Sequence, residues 1–206
     1  MWVQQDFKMQ LTIKKRYPAF HGTDYEVANT ILKEGFKVGA NKHHWLGNGV
    51  YFFKEYDIAS WWTSANAKEF GTDIKVPAII NVVLTAERDR ILDLREIDDL
   101  KKFLAWKYEY DIGIPDNSTI EMEVYRCNLF DGILREHDID IIIGSFNPKS
   151  KTYIKDIPEL QSTLEKLKLI FSEVQYCVNE SRQKDIIKIM GIEKISLKKV
   201  NKNGKN

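Results

Sequence analysis

The sequence predicts an α+β fold, and three observations predict it. Short β-branched or aromatic runs at Val50–Phe53, Ile79–Thr85, Ile91–Leu94, Asp140–Ser145 and Glu173–Val178 read as strands. The helical stretches between them are isolated and lack the regular strand–helix alternation of a doubly wound parallel sheet. Neither G-x-G-x-x-G after a strand nor G-x-x-x-x-G-K-[ST] occurs, so the chain carries neither common phosphate loop.

The elements follow in order. Residues 11–20 alternate loosely and read as a strand ending near Pro18–Phe20. Thr23-Asp24-Tyr25-Glu26 fits a capping box with Thr23 as N-cap. The helix it opens aligns Ala28, Ile31 and Leu32, and Gly35 stands where a helix-ending glycine belongs. A loop punctuated by Gly and Asn (39–49) leads into the strand Val50–Phe53, and Asp57 caps a second helix carrying Ala59, Trp62 and Ala65. Ile79–Thr85 reads as a central strand. The period over Ile97–Tyr110 predicts a helix with Leu100, Phe103, Leu104 and Tyr108 on one side. Leu160, Leu164, Leu167 and Phe171 keep helical spacing, as a helix or a connection. Along Glu173–Val178, Glu173, Gln175 and Cys177 face one way and Val174, Tyr176 and Val178 the other.

Length and composition limit the functional classes. The 206 residues make one domain, 1–206, with a basic C-terminal tail at 194–206 that holds five Lys and no acid. Thirty-one basic against 30 acidic side chains give a net charge of +1, which excludes a partner held mainly by bulk charge. No apolar run is long enough to span a membrane, and the first twenty residues lack a signal-peptide core. Cys127 and Cys177 form no disulfide framework and read as small core residues, so a reduced, cytoplasmic setting is expected. Adjacent His43 and His44 lack metal-ligand spacing, so no metal is expected; they are read as lining a loop over the cleft. Trp45 and Trp106 read as packing or surface residues. Glu121 and Glu123 read as a solvated pair.

Three islands are left to carry chemistry: Phe20-His21-Gly22-Thr23, Leu46-Gly47-Asn48-Gly49-Val50-Tyr51-Phe52, and Ser172-Glu173-Val174-Gln175-Tyr176. A glycine after a strand-end His lets a ligand approach the backbone and bond to it as a peptide would. The second island sets two glycines before an aromatic strand, and the third sets a carboxylate and a carboxamide on one strand face.

These islands resemble the ADP-ribosyltransferase superfamily, in its poly(ADP-ribose)-polymerase-like branch with a His–Tyr–Glu signature. The H-G-[ST] turn is His21-Gly22-Thr23, the G-x-G-[IV]-Y-F strand is Gly47–Phe52, and the late-strand Glu is Glu173. The likeness is specific over about residues 17–65, weak through the middle and moderate at 170–180. It implies a split, two-sheet α+β fold with a central cleft for NAD⁺, which is consumed as substrate. His21 would bond a ribose hydroxyl of the adenosine half, the Gly22 backbone the nicotinamide carboxamide, and Thr23 and Gly49 would line the cofactor site. Tyr51 would stack on the nicotinamide, Trp61 or Trp62 would form the opposite wall, and Glu173 would bond the nicotinamide-ribose hydroxyl. Gln175 would orient the acceptor or the ribose.

Many side-chain-modifying relatives carry the catalytic carboxylate two positions later, where this chain has Gln175. That keeps a non-catalytic NAD, ADP-ribose or RNA binding module as an alternative. An NAD-dependent RNA 2′-phosphotransferase shares the cleft but needs phosphate-binding Arg, which the islands lack. The resemblance further implies a mono-ADP-ribosyltransferase of toxin or anti-phage type, acting on a macromolecule, with an antitoxin protein as inhibitory partner. Lys14-Lys15-Arg16 and the basic tail tilt the expected acceptor toward RNA or DNA over protein.

Overall fold

The first strand, β1 (Lys14–Asp24), runs four residues past its expected end. It does so because every one of its residues finds a partner in β3 (Pro77–Glu87), from Lys14 opposite Glu87 to Asp24 opposite Pro77. The structure is a computed structural model that describes residues 13–38, 44–66, 74–110, 119–146, 166–167 and 172–195, without the side chains of 65, 66, 119 and 120. Because β1 continues through Thr23, the N-cap of α1 (Tyr25–Glu34) is Asp24, not Thr23. One Asp24 oxygen accepts from Glu26 N at 2.9 Å; the other accepts from Lys75 N at 2.8 Å and Val76 N at 2.9 Å. The same carboxylate thus caps the helix and fastens the entry to β3. These amides, that of Val76 foremost, hold the Asp24 carboxyl below its ordinary range. Gly35 ends the helix at φ 85°, its N–H bonded to Ile31 O at 2.8 Å. Ala28 and Ile31 are buried as expected, but Leu32 points to solvent, one step around the helix from Ile31.

The remaining elements are β2 (Gly49–Phe53), α2 (Tyr56–Trp61) running into a π-helical turn (Trp62–Asn66), β4 (Ile91–Asp93), α3 (Ile97–Glu109), α4 (Thr119–Glu136), β5 (Ile141–Phe146), β6 (Glu173–Asn179), the short α5 (Gln183–Ile186) and β7 (Ile187–Lys194). Asp57 does not cap α2; Glu55 precedes the helix without a side-chain bond. The expected Leu160–Ile170 element lies outside the described residues apart from 166–167, as does the basic tail beyond Ile195.

The strands form one seven-stranded mixed sheet in the order β4-β5-β6-β2-β1-β3-β7, antiparallel except for β4–β5. The expected pair of separate sheets is therefore one sheet, but a nearly parted one. Between β1 and β2 a single pair is in register, Phe20 opposite Phe53. Beyond that pair the two strands diverge.

Both faces of the sheet are covered. On one, Ala28 and Ile31 of α1 and Ile186 of α5 pack with Val50, Phe52, Ile80, Val82, Tyr176 and Val178. On the other, α4 lays Leu129, Phe130, Ile133 and Leu134 on Leu92, Ile142 and Cys177. The alternation read along β6 holds, since Val174, Tyr176 and Val178 belong to the first cluster and Cys177 to the second. Cys127 and Cys177 are buried free thiols.

Helix α3 turns only Phe103 of its expected face inward. Leu100, Leu104 and Tyr108 are exposed, while Phe103, Trp106 and Tyr110 turn inward. The reason is Asp99, fully buried, whose carboxylate accepts from Asp93 N at 2.8 Å and from Arg88 at 2.9 Å. A buried carboxylate without those donors would cost several kcal/mol, so it fixes the rotation of the helix, and residues 103, 106 and 110 follow on the same side.

Candidate functional site

The divergence of β1 from β2 creates the site. Tyr25 N donates to Val76 O and Arg88 N to Ile13 O at the two ends of the β1–β3 ladder, so odd-numbered residues of β1 turn their peptide groups toward β3. Gly22, being even, turns its N–H and C=O the other way, toward β2. Continued pairing would set Tyr51 opposite Gly22. Instead the Tyr51 carbonyl accepts from His21 Nδ1 at 2.8 Å. The imidazole thus fills the split, and the Gly22 peptide edge is left without a strand partner among the described residues.

A carbonyl can only accept, so His21 carries its proton on Nδ1 and offers Nε2 as an acceptor. Burial lowers its pKa, opposed by the bond to Tyr51 O, and the ring packs edge-on against Phe36 at 5.1 Å and Phe52 at 5.7 Å. His21 and Thr23 line a cavity of about 620 Å³ with Ile31, Phe36, His44 and Gly49, and Tyr51 also borders it. His44 lines this cavity, and His43 falls outside the described residues.

The glycines of the motifs have packing reasons. A Cβ on Gly22 would stand 1.7 Å from Thr63 Oγ1 and 2.8 Å from Ala59 O, so α2 and its π-turn close on β1 only because residue 22 has no side chain. On Gly49 a Cβ would meet Cys177 Sγ and Val178 O at 2.5 Å. The sequence reading assigned these glycines to ligand approach; in the structure the Cβ positions are taken by protein, and only the peptide edge of Gly22 faces the split.

Glu173, Gln175 and Trp62 gather on the opposite face from His21. Glu173 is 5% exposed, and its Oε1 accepts from Trp62 Nε1 at 3.2 Å and from Gln175 Nε2 at 3.0 Å. Burial raises its pKa from 4.5 and outweighs the two donors that lower it. Both bonds fall on Oε1, which leaves Oε2 without a partner among the described residues. Trp62 stacks on Phe53 at 5.9 Å, and Trp61 meets Trp62 edge-on at 6.0 Å. Of the two tryptophans it is therefore Trp62 that touches the carboxylate. Tyr51 projects to this same face, four residues along the strand direction from Glu173, about 13 Å. Its hydroxyl accepts from Leu46 N at 2.7 Å and donates to Gly47 O at 2.8 Å, and burial raises its pKa strongly.

The arrangement brings the sequence-derived residues together as two groups, one on each face of the sheet. His21, Thr23 and Gly49 line the cavity; Trp62, Glu173 and Gln175 form a hydrogen-bonded carboxylate on an aromatic wall; Gly22 and Tyr51 lie between. Sequence reasoning missed Asp131 of α4, which binds Asn48 in the middle of the second island. Its only sequence signal is an acid on the Cys127 side of a helix, four residues on. Among the described residues no cluster of His, Cys, Asp and Glu could hold a metal ion, and no helix is long and apolar enough to cross a membrane.

A comparison with protein-family models finds no match. Over 84 residues the chain is 33% identical to an uncharacterized protein of Methanocaldococcus jannaschii, MJ0359. That alignment covers 40% of this chain and 39% of the relative.

Proposed function

We propose that the protein is an NAD-dependent ADP-ribosyltransferase whose nearly parted sheet is the dinucleotide cleft. The observation that carries this reading is the open peptide edge of Gly22, set between a cavity and a buried carboxylate held by Trp62 and Gln175. The adenosine half occupies the cavity, where His21 Nε2 accepts from a ribose hydroxyl. The nicotinamide carboxamide pairs with the N–H and C=O of Gly22 as a β-strand would. Trp62 walls the ring and Tyr51 closes the other side, with aromatic contacts worth about 0.5–1.5 kcal/mol beyond burial.

Glu173 then supplies the chemistry. Loss of nicotinamide leaves an oxocarbenium-like ribose carbon, and a carboxylate beside it stabilises the developing charge more in the transition state than in the ground state. Oε2 accepts from the ribose hydroxyl while Oε1 stays fixed by Trp62 and Gln175. Gln175 on this reading orients the carboxylate. A nucleophile of the acceptor takes the ribose from the opposite side, and no metal enters the scheme. Lys14, Lys15 and Arg16 stand exposed five to seven residues up β1 from His21, roughly 17–23 Å away. They add no charge at the cleft, so the acceptor is identified by experiment.

The purified chain is incubated with NAD⁺ labelled in the adenylate, with separate RNA, DNA and protein pools, and nicotinamide release is followed beside label incorporation. Release with one pool labelled, reduced on the order of 10³-fold in Glu173→Gln, is the expected outcome. Thermal stabilisation by NAD⁺ without release identifies a binding module instead. Wild-type rates in Glu173→Gln overturn the assignment of the carboxylate.

A further inference from the structure

The loop that carries the second motif is held from outside the cleft by one carboxylate. Asp131 Oδ1 accepts from Asn48 N, and Asp131 Oδ2 accepts from Asn48 Nδ2 at 2.6 Å. Gly47, at φ 84°, passes so close to α4 that a Cβ there would lie 2.8 Å from Asp131 Oδ1. The two residues before Asn48 then hold the Tyr51 phenol, Leu46 by donating its N–H and Gly47 by accepting at its carbonyl. The Tyr51 carbonyl in turn accepts from His21 Nδ1. Hydrogen bonds joined by short covalent stretches therefore run from Asp131 through Asn48 and the 46–49 loop to Tyr51 and His21, linking α4 to both strands that line the split.

We propose that Asp131 is a positioning residue: it fixes the 46–49 loop so that Tyr51 and His21 stand ready for the dinucleotide. This deepens the transferase reading and rests on it. Asp131 touches neither the split nor Glu173 in this chain of bonds, so its effect is on how NAD⁺ is held and not on the bond-breaking step. Charge-assisted bonds of this kind are about twice as strong as neutral ones, and two of them on one residue leave the loop a single geometry. A neutral amide at 131 keeps the shape and one acceptor, but sets its NH₂ against the NH₂ of Asn48.

The test is a reciprocal exchange. Asp131→Asn raises KM for NAD⁺ roughly tenfold with kcat within about threefold, the pattern of lost uniform binding. Asn48→Asp, which sets two carboxylates face to face, raises it at least as far. The double variant Asn48→Asp/Asp131→Asn restores KM, because the amide introduced on α4 donates to the carboxylate introduced on the loop and still accepts from the loop N–H. An unchanged KM in Asp131→Asn, or a double variant no better than the worse single one, overturns the proposal. So does a fall in melting temperature as the only effect. If the wild-type chain neither binds nor cleaves NAD⁺, the transferase reading fails on its own. The Tyr51 hydroxyl proton, bonded to Gly47 O, is then followed by NMR and decides the link: a signal lost in Asp131→Asn and regained in the double variant supports it, and one unaltered in both overturns it.

Discussion

Glu173 is held in its neutral form over a wider pH range than a free carboxyl, because burial raises its pKa above 4.5 in the folded chain. Between 4.5 and that raised value the folded state binds more protons than the unfolded one. Folding is therefore weakened as pH rises through the interval, and above it the buried charge is a standing cost. Glu173→Gln, which keeps the shape without the charge, is expected to raise the urea midpoint at pH 7 and to lose that advantage below pH 4.5. Urea titrations at the two pH values check it. His21 has the opposite sign: its folded pKa is lowered, so the stability it contributes is lost as pH falls below 6.5. At this scale the sequence marks candidates where chemistry-bearing residues stand in short local patterns. His21, Tyr51 and Glu173 sit in short motifs. Asp131 acts on a loop 83 positions away, and no local pattern marks such a partner.

Among the elements, α2 and β1 are matched to one another by an absence. The Cβ position of Gly22 is filled by Thr63, so Gly22→Ala is expected to cost about 1–3 kcal/mol by pushing the π-turn off the strand. Adding Thr63→Ala removes the 1.7 Å conflict but leaves Ala59 O at 2.8 Å, so it recovers only part of the loss. Chemical denaturation of the single and double variants measures both. Most strands were legible as β-branched runs; in Ile79–Thr85, Ile80, Val82 and Leu84 are buried and Asn81, Val83 and Thr85 half-buried, the alternation of a strand. Helix α3 was legible in extent but not in rotation. Its two apolar stripes, Leu100–Leu104–Tyr108 and Phe103–Trp106–Tyr110, are equally hydrophobic, and a buried Asp99 paired with Arg88 decides between them. The start of α1 was displaced by one residue because Thr23 is claimed by β3, a tertiary pairing that a capping pattern cannot anticipate. In β7, Lys188, Met190 and Lys194 are exposed and Gly191 interrupts the run, which weakens the strand signal.

For the whole molecule, the decisive quantity is how firmly the two parts of the sheet are joined. Backbone pairing contributes one residue pair at the seam, Phe20 with Phe53, against the full length of β1 on its other edge. Weak pairing there would suggest two parts that melt separately. The order of the strands argues otherwise. β1, β3 and β7 lie on one side of the seam and β2, β4, β5 and β6 on the other, so the chain passes from side to side four times. Unfolding by urea is accordingly expected to be a single transition, with tryptophan fluorescence and far-ultraviolet circular dichroism coinciding; non-coincident midpoints would show that the parts separate. The interleaving has a practical consequence as well. No single cleavage of the polypeptide leaves each piece with all the strands of one side, so neither side can be expressed as a self-sufficient fragment, and reassembly from two pieces would require each to complete the other's sheet. The gap between β1 and β2 is bridged by the path of the covalent chain.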